Sequence, residues 1–192
     1  MSSKTHERRG VRRIRILLVI GATLVLTTPA ALGSSPASVQ TGATVACGVE
    51  RWTVKTLQDR PRLLPLRDTT IAYLVSRPRP DTLPDRRLRF ERHIFRVTGA
   101  VTLVRSEDDG DFHLVLSDGQ RTMIAESPSA SCVRGATSTR RRQMAQARLQ
   151  VRLCTRARVT GVAFFDFFHG QTGVARNAIE LHPILGFRCL SG

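Results

Sequence analysis

The 192-residue chain carries 30 basic side chains against 15 acidic ones, a formal charge of +15. That balance favours anionic neighbours: wall polymers, lipid headgroups, phosphorylated molecules or nucleic acid. The four cysteines, Cys47, Cys132, Cys154 and Cys189, show no C-x-x-C spacing, which argues against a zinc knuckle or a thioredoxin-type motif.

Residues 1–33 read as a signal peptide. Lys4, Arg8, Arg9, Arg12, Arg13 and Arg15 precede the apolar run "ILLVIGATLVLTT", and the small residues Ala31 and Gly33 mark a cleavage point. The run is short for a membrane span, so export with cleavage is expected; an uncleaved N-terminal anchor is the alternative. Without this leader, 24 basic residues face 14 acidic ones, a charge of +10 (30 less six, 15 less one), on a part long enough for one domain. Only Lys4 and Lys55 are lysines, a bias that looks like base composition. An even cysteine number outside the cytosol reads as two disulfides.

Residues 34–46 form a small-residue linker. Residues 47–92, punctuated by Pro61, Pro65, Pro78, Pro80 and Pro84, read as an irregular Pro/Arg-rich wrapping segment. Its one short helix, "TIAYLV", is capped by Thr69 or Thr70 and stopped by Pro78. Strand patterning begins at residue 93. Phe95, Val97, Val101 and Leu103 alternate in the first strand, which Gly99 bends. "DFHLVLSDGQRTMIAE" reads as a hairpin turning at Asp118-Gly119. "TSTRRRQMAQARLQVRL" is a helix capped by Thr137 or Ser138, with Met144, Ala147 and Val151 as its apolar stripe. "ARVTGVAFFDFF" and "AIELHPILGF" are the last two strands. The fold class is therefore mainly β: a small five-stranded OB-like Greek-key barrel over 93–192, with one helix between its third and fourth strands.

Two registers follow from alternation. In the last hairpin, pairing Phe164 with Ile179 and Val162 with Leu181 buries both apolar sets. That register sets Cys154 opposite Cys189, Glu180 opposite Ala163 and His182 opposite Gly161, and puts Asp166 at the barrel rim. Cys47–Cys132 follows by elimination, a closure worth ~4–5 kcal/mol on the chain-entropy model. A two-residue turn at Asp118-Gly119 pairs Leu114 with Met123, His113 with Ile124 and Asp111 with Glu126. Two carboxylates so placed require a proton, an arginine or a metal ion between them.

Candidate chemistry lies in these polar groups. Asp166, His169, Glu180 and His182 are the catalytic candidates, and Asp111, His113, Glu126, His169 and His182 the metal candidates, suited to zinc or manganese. The spacing matches no established metal motif, and a hydrogen-bonded brace explains the same residues. No G-x-S-x-G setting occurs, and "GQTG" lacks a phosphate loop's lysine and length. The phenylalanines at 164, 165, 167 and 168 point to a core side and a side covered by another segment. Nucleic-acid binding through "TRRR" and "DRRLR" is disfavoured by the export signal and the carboxylates.

The blocks "CGVERWTVKTL", "DDGDFHLVLSDG" with "QRTMIAESP", and "GVAFFDFFHGQTGVARNAIELHP" together resemble a group of exported bacterial proteins. The resemblance spans most of residues 47–186 and implies a shared fold without an assigned activity. It matches Glu50, Trp52, Asp111, His113, Glu126, Cys132, Asp166, His169, Asn177, Glu180 and His182. The chain departs from the pattern at Arg176 and in its short "SDGQRT" turn, both in loops. Two functional expectations remain: a binding or structural module of the cell envelope with a polar rim and anionic partners, or a metal-dependent hydrolase of phosphodiester or related bonds.

Overall fold

The computed structural model describes residues 46–192, so the proposed leader and nearly all of the linker lie outside the described residues. Among those described, no helix is long and apolar enough to cross a membrane.

The barrel is built by β2 (Ile94–Ser106), β3 (Phe112–Ser117), β4 (Thr122–Ser127), β5 (Cys154–Phe165) and β6 (Ile179–Ser191). The strands run in the order β2-β3-β4-β6-β5, and β5 pairs back onto β2 to close the sheet. Only the β4–β6 pair within the barrel is parallel. With helix α3 (Ser138–Gln150) between β4 and β5, this is the five-stranded OB-like arrangement. Before the barrel come α1 (Trp52–Lys55), the two-residue β1 (Arg67–Asp68), α2 (Ile71–Val75) and a 3-10 turn at Phe90–Arg92. β1 adds in parallel to the edge of β2.

Local chemistry explains these elements. Thr70 caps α2 by accepting from the Tyr73 amide at 3.0 Å, and Thr137 caps α3 by accepting from the Arg140 amide at 3.4 Å. β2 bends where expected: a Cβ on Gly99 would lie 2.7 Å from the Ser117 carbonyl oxygen and 2.9 Å from Ile71 Cδ1, and the β2 registers shift just beyond it. Inside the barrel, Phe95, Val97, Val101, Leu114, Leu116, Met123, Ala163, Phe165, Ile179 and Leu181 form the main core. α3 adds Ala147 to that core and puts Met144 into a second cluster with Leu57, Val162 and Leu185 on the barrel's outside.

Both disulfides are as expected, Cys47–Cys132 and Cys154–Cys189, although Cys189 lies opposite Ala157 and not opposite Cys154. Both hairpin registers differ from expectation. In the last hairpin Ile179 pairs with Phe165, Glu180 with Phe164 and Leu181 with Ala163, while Gly161 pairs with Ile184 beyond the first of three irregularities in the ladder. Phe164 and Val162 thus face outward, and Glu180 lies opposite Phe164 instead of Ala163. Alternation misled here because β5 is buried on both sides, so both residue sets are apolar and either could pass for the core face.

The β3–β4 turn contains four residues, not two. Asp118 Oδ1 accepts from the amides of Gln120 and Arg121 at 3.0 and 2.8 Å, and the Asp118 amide donates to the Arg121 carbonyl at 3.2 Å. Gly119 takes the left-handed φ of 91° that this turn needs. The register consequently moves by two residues: His113, not Asp111, lies opposite Glu126, and Leu114 pairs with Ala125. A shift of two preserves the faces, so the inward and outward sets of this hairpin remain as expected.

A buried charge cluster on the outer barrel face

His113, Glu126, Glu180 and His182 project from β3, β4 and β6 on the face opposite the core. The patterning leads to solvent there, yet all four are buried. The covering chain is α1 with its flanks, pinned by Cys47–Cys132 and by Gln58 Nε2, which donates to the Cys132 carbonyl at 3.1 Å.

Arg51, just before α1, makes a bidentate pair with Glu91 at 2.7 and 2.8 Å and donates to the Phe165 carbonyl at 2.8 Å. Its guanidinium stacks 4.8 Å from the centroid of the Phe164 ring. Glu91 also accepts from the Phe165 and Leu88 amides at 3.0 and 2.8 Å. Every oxygen of this buried carboxylate is thereby satisfied, the condition under which a buried ion pair persists.

Lys55, one helical turn on, reaches Asp166 Oδ2 at 3.1 Å and Glu126 Oε2 at 3.4 Å. Burial opposes its charge, but Glu126, Glu180 and Asp166 outweigh that cost and hold the ammonium above the ordinary lysine pKa. His182 has its Nε2 3.0 Å from Asp111 Oδ2 and 3.1 Å from Glu126 Oε2, while Nδ1 donates to the Lys55 carbonyl at 2.9 Å. Both ring nitrogens thus face acceptors. Burial disfavours the imidazolium, yet the hydrogen bonds to Asp111 and Glu126 prevail and raise its pKa to about 9.

His113 is held likewise, Nδ1 at 3.0 Å from Glu126 Oε1 and Nε2 at 2.8 Å from the Thr172 carbonyl. Burial is again outweighed, by Glu126 and the Thr172 carbonyl, and its pKa rises. Burial would raise the Glu126 pKa, but the two histidines and Lys55 hold it well below the usual range. Glu180 goes the other way. Burial first, then repulsion from Glu126 and Asp166, pushes its carboxyl well above the usual range, and neither oxygen has a hydrogen-bond partner.

The expected site residues therefore separate into three groups. Asp111, Glu126 and His182 meet beneath α1. Glu126 also joins His113 and the half-buried Glu107. Asp166 and His169 meet beside the exposed Glu50. His113, His169 and His182 do not converge on one point, so the five expected metal candidates are not a single ligand set. Asp166 follows the outward row of Phe164, not the core row, because of the changed register. His169 is 3.7 Å from Asp166 but exposed, and hydrogen-bonds Gln171 instead. Asn177 ties the β5–β6 loop to α2, its Nδ2 donating to the Leu74 and Arg77 carbonyls at 3.0 and 2.9 Å.

Sequence reasoning missed Arg51, Lys55 and Glu91. Lys55 carried a usable signal, since it is the one lysine left after the leader in an arginine-rich chain. Glu91 carried none, because it sits among the solvated charges of "RFER".

No family model and no curated protein matches this sequence. Among solved structures the chain is similar to an asparaginyl-tRNA synthetase of Entamoeba histolytica, at 9% identity and TM-score 0.38 over 67% of this chain and 24% of that one. It is similar also to an aspartyl-tRNA synthetase of the same organism, at 14% identity and TM-score 0.39 over 68% and 26%. A Leishmania major Friedlin protein assigned as an aspartyl-tRNA synthetase gives 14% identity and TM-score 0.43 over 67% and 23%. The chain spans about a quarter of each one's length.

Proposed function

We propose that the protein is an exported binding module of the cell envelope, whose buried charge cluster is a brace and whose ligand surface is the rim loop between β5 and β6. The observation that carries this reading is the contrast within that loop. Asp166 and Asn177 are buried and clamped at its two ends, while Phe167 and Phe168 are exposed between them. Arg79 donates to the Asp166 and Asn177 carbonyls at 2.7 and 3.2 Å and stacks 4.5 Å from the Phe168 ring centroid. Aromatic rings held open on a rigid base suit ligand contact, since little ordering entropy remains to be lost on binding.

Two disulfides support an oxidising location outside the cytosol. The charge of +10 after the leader supports an anionic partner. In OB barrels ligands use the face and loops equivalent to β3, β4, residues 107–111 and residues 166–178. Here α1 and its flanks cover much of that face, which supports the rim over a strand-lined groove for nucleic acid. The hydrolase reading requires water at the ligand atoms, whereas Asp111, Glu126 and His182 lie beneath Lys55.

The test is co-sedimentation of mature protein with envelope fragments rich in phosphodiester polymers, at low and high salt. Wild type is expected to sediment in a salt-sensitive way, and the Phe167→Ala/Phe168→Ala double variant about tenfold less at unchanged Tm. Equal sedimentation of the variant, or none by wild type, defeats the rim reading.

A further inference from the structure

Three side chains beneath α1 share one arrangement. Glu126 gives Oε1 to His113 at 3.0 Å and keeps Oε2 free of it. Asp111 gives Oδ1 to the Ser129 amide at 3.4 Å and keeps Oδ2. His182 gives Nδ1 to the Lys55 carbonyl at 2.9 Å and keeps Nε2. The three remaining atoms all lie within 4.8 Å of one another, with Nε2 3.0 and 3.1 Å from the two oxygens. Outer atoms anchored and inner atoms convergent is the support found around metal ligands, where a second partner sets each ligand's orientation.

Glu180 supplies an independent sign. It shares the outer face of β6 with His182, pairs in register with Ile124 two residues before Glu126, and is 1% exposed. Neither carboxyl oxygen has a partner. Buried polar atoms are almost always satisfied, and two left over on a carboxyl that feels the charges of Glu126, Lys55 and His182 point to a ligand.

We propose that Asp111, Glu126 and His182, with the unpartnered Glu180 next to them on β6 as the reserve carboxyl, form a closed structural site for one divalent cation of the zinc–manganese class, joining β4 and β6 to residue 111 and seating α1 above them. Three carboxylates and one imidazole suit these ions. Lys55 Nζ lies 3.4 Å from Glu126 Oε2 and 3.1 Å from Asp166 Oδ2, so an ion on Oε2 displaces the ammonium from Glu126 and leaves it paired with Asp166. The absence of an open, solvent-facing position makes the site structural in character. This inference rests on the brace reading of the cluster, but not on the rim.

The experiment is elemental mass spectrometry of disulfide-intact mature protein, as purified and after incubation with excess zinc or manganese followed by desalting. Zinc and manganese affinities of wild type, Glu180→Gln and His113→Gln are then compared. Glu180→Gln is nearly isosteric with a protonated carboxyl and is expected to fold. About one ion per chain is expected, with Glu180→Gln at least tenfold weaker and His113→Gln about 10–100-fold weaker, as for lost second partners. No stoichiometric ion under either condition overturns the site, and so does an ion held equally well by Glu180→Gln. Envelope sedimentation of the same preparations separates the outcomes: rim binding without a cation retains the binding module and removes the site, while a cation without rim binding does the reverse.

Discussion

The barrel wall has two faces, and they are buried by different means. Inward, Leu114, Leu116, Met123 and Leu181 meet apolar side chains from every strand, and close packing there is non-directional. Outward, His113, Glu126, Glu180 and His182 are as deeply buried, but under a cover that reaches them through charges and hydrogen bonds. The difference teaches that strand alternation reports which side chains share a face, and not whether that face sees water. Inside, a substitution removes packing. Outside, it leaves a partner charge uncompensated, which is costlier per atom.

The largest break in this comparison is expected from Arg51→Met. It removes one member of a fully buried, bidentate pair and leaves Glu91 unpaired, at a cost of about 3–5 kcal/mol. Urea denaturation checks it, and a cost under about 1 kcal/mol would mean that the outer cover is solvated. Leu114→Ala inside the barrel is expected to cost about 2–5 kcal/mol through a cavity, by the same measurement.

The pH dependence differs between the faces as well. With its folded pKa raised to about 9 against an ordinary 6.5, His182 contributes stability that is complete below pH 6.5 and lost as pH climbs through 9. In protein kept free of divalent ions, Tm should therefore fall over that window. The loss is up to about 3 kcal/mol, and it should be much reduced in His182→Gln. Glu126, with its pKa lowered, contributes in the opposite sense, and its share disappears only in acid well below pH 4.5. The smallest effect is expected from Glu180→Gln in ion-free protein, under about 1 kcal/mol, because a neutral group of equal shape replaces an acid whose charged form burial and Glu126 already disfavour. A large loss there would show Glu180 ionised and paired.

Much of the fold is legible in the residues, and the reasons are local. Thr70 and Thr137 cap their helices because a hydroxyl satisfies an orphan amide, and Gly99 bends β2 because a side chain would meet Ser117. The polar site was legible as a set of residues but not as partnerships. His113 was expected opposite Ile124 and is opposite Glu126, because Asp118 closes a four-residue turn with its own side chain. Phe164 was expected in the core and lies beneath Arg51, because a strand covered on both sides has no polar row to reveal its orientation.

By itself the sequence determined the order of the five barrel strands and helix α3 and the identity of the charged groups that the outer face would carry, but neither α1 and β1 in the wrapping segment nor the register that brings Cys154 to Cys189. The parts it determined depend on short-range patterning, turn chemistry and the parity of strand positions. Tertiary structure alone decided that those charges are buried and which of them meet. The deciding contacts join residues far apart in the chain, Lys55 with Asp166 across 111 positions and His182 with the Lys55 carbonyl across 127. Side-chain periodicity carries no information over such separations. Only closure of the barrel, with α1 laid across it, brings four carboxyl groups, two imidazoles and an ammonium together out of water, where each charge depends on its neighbours.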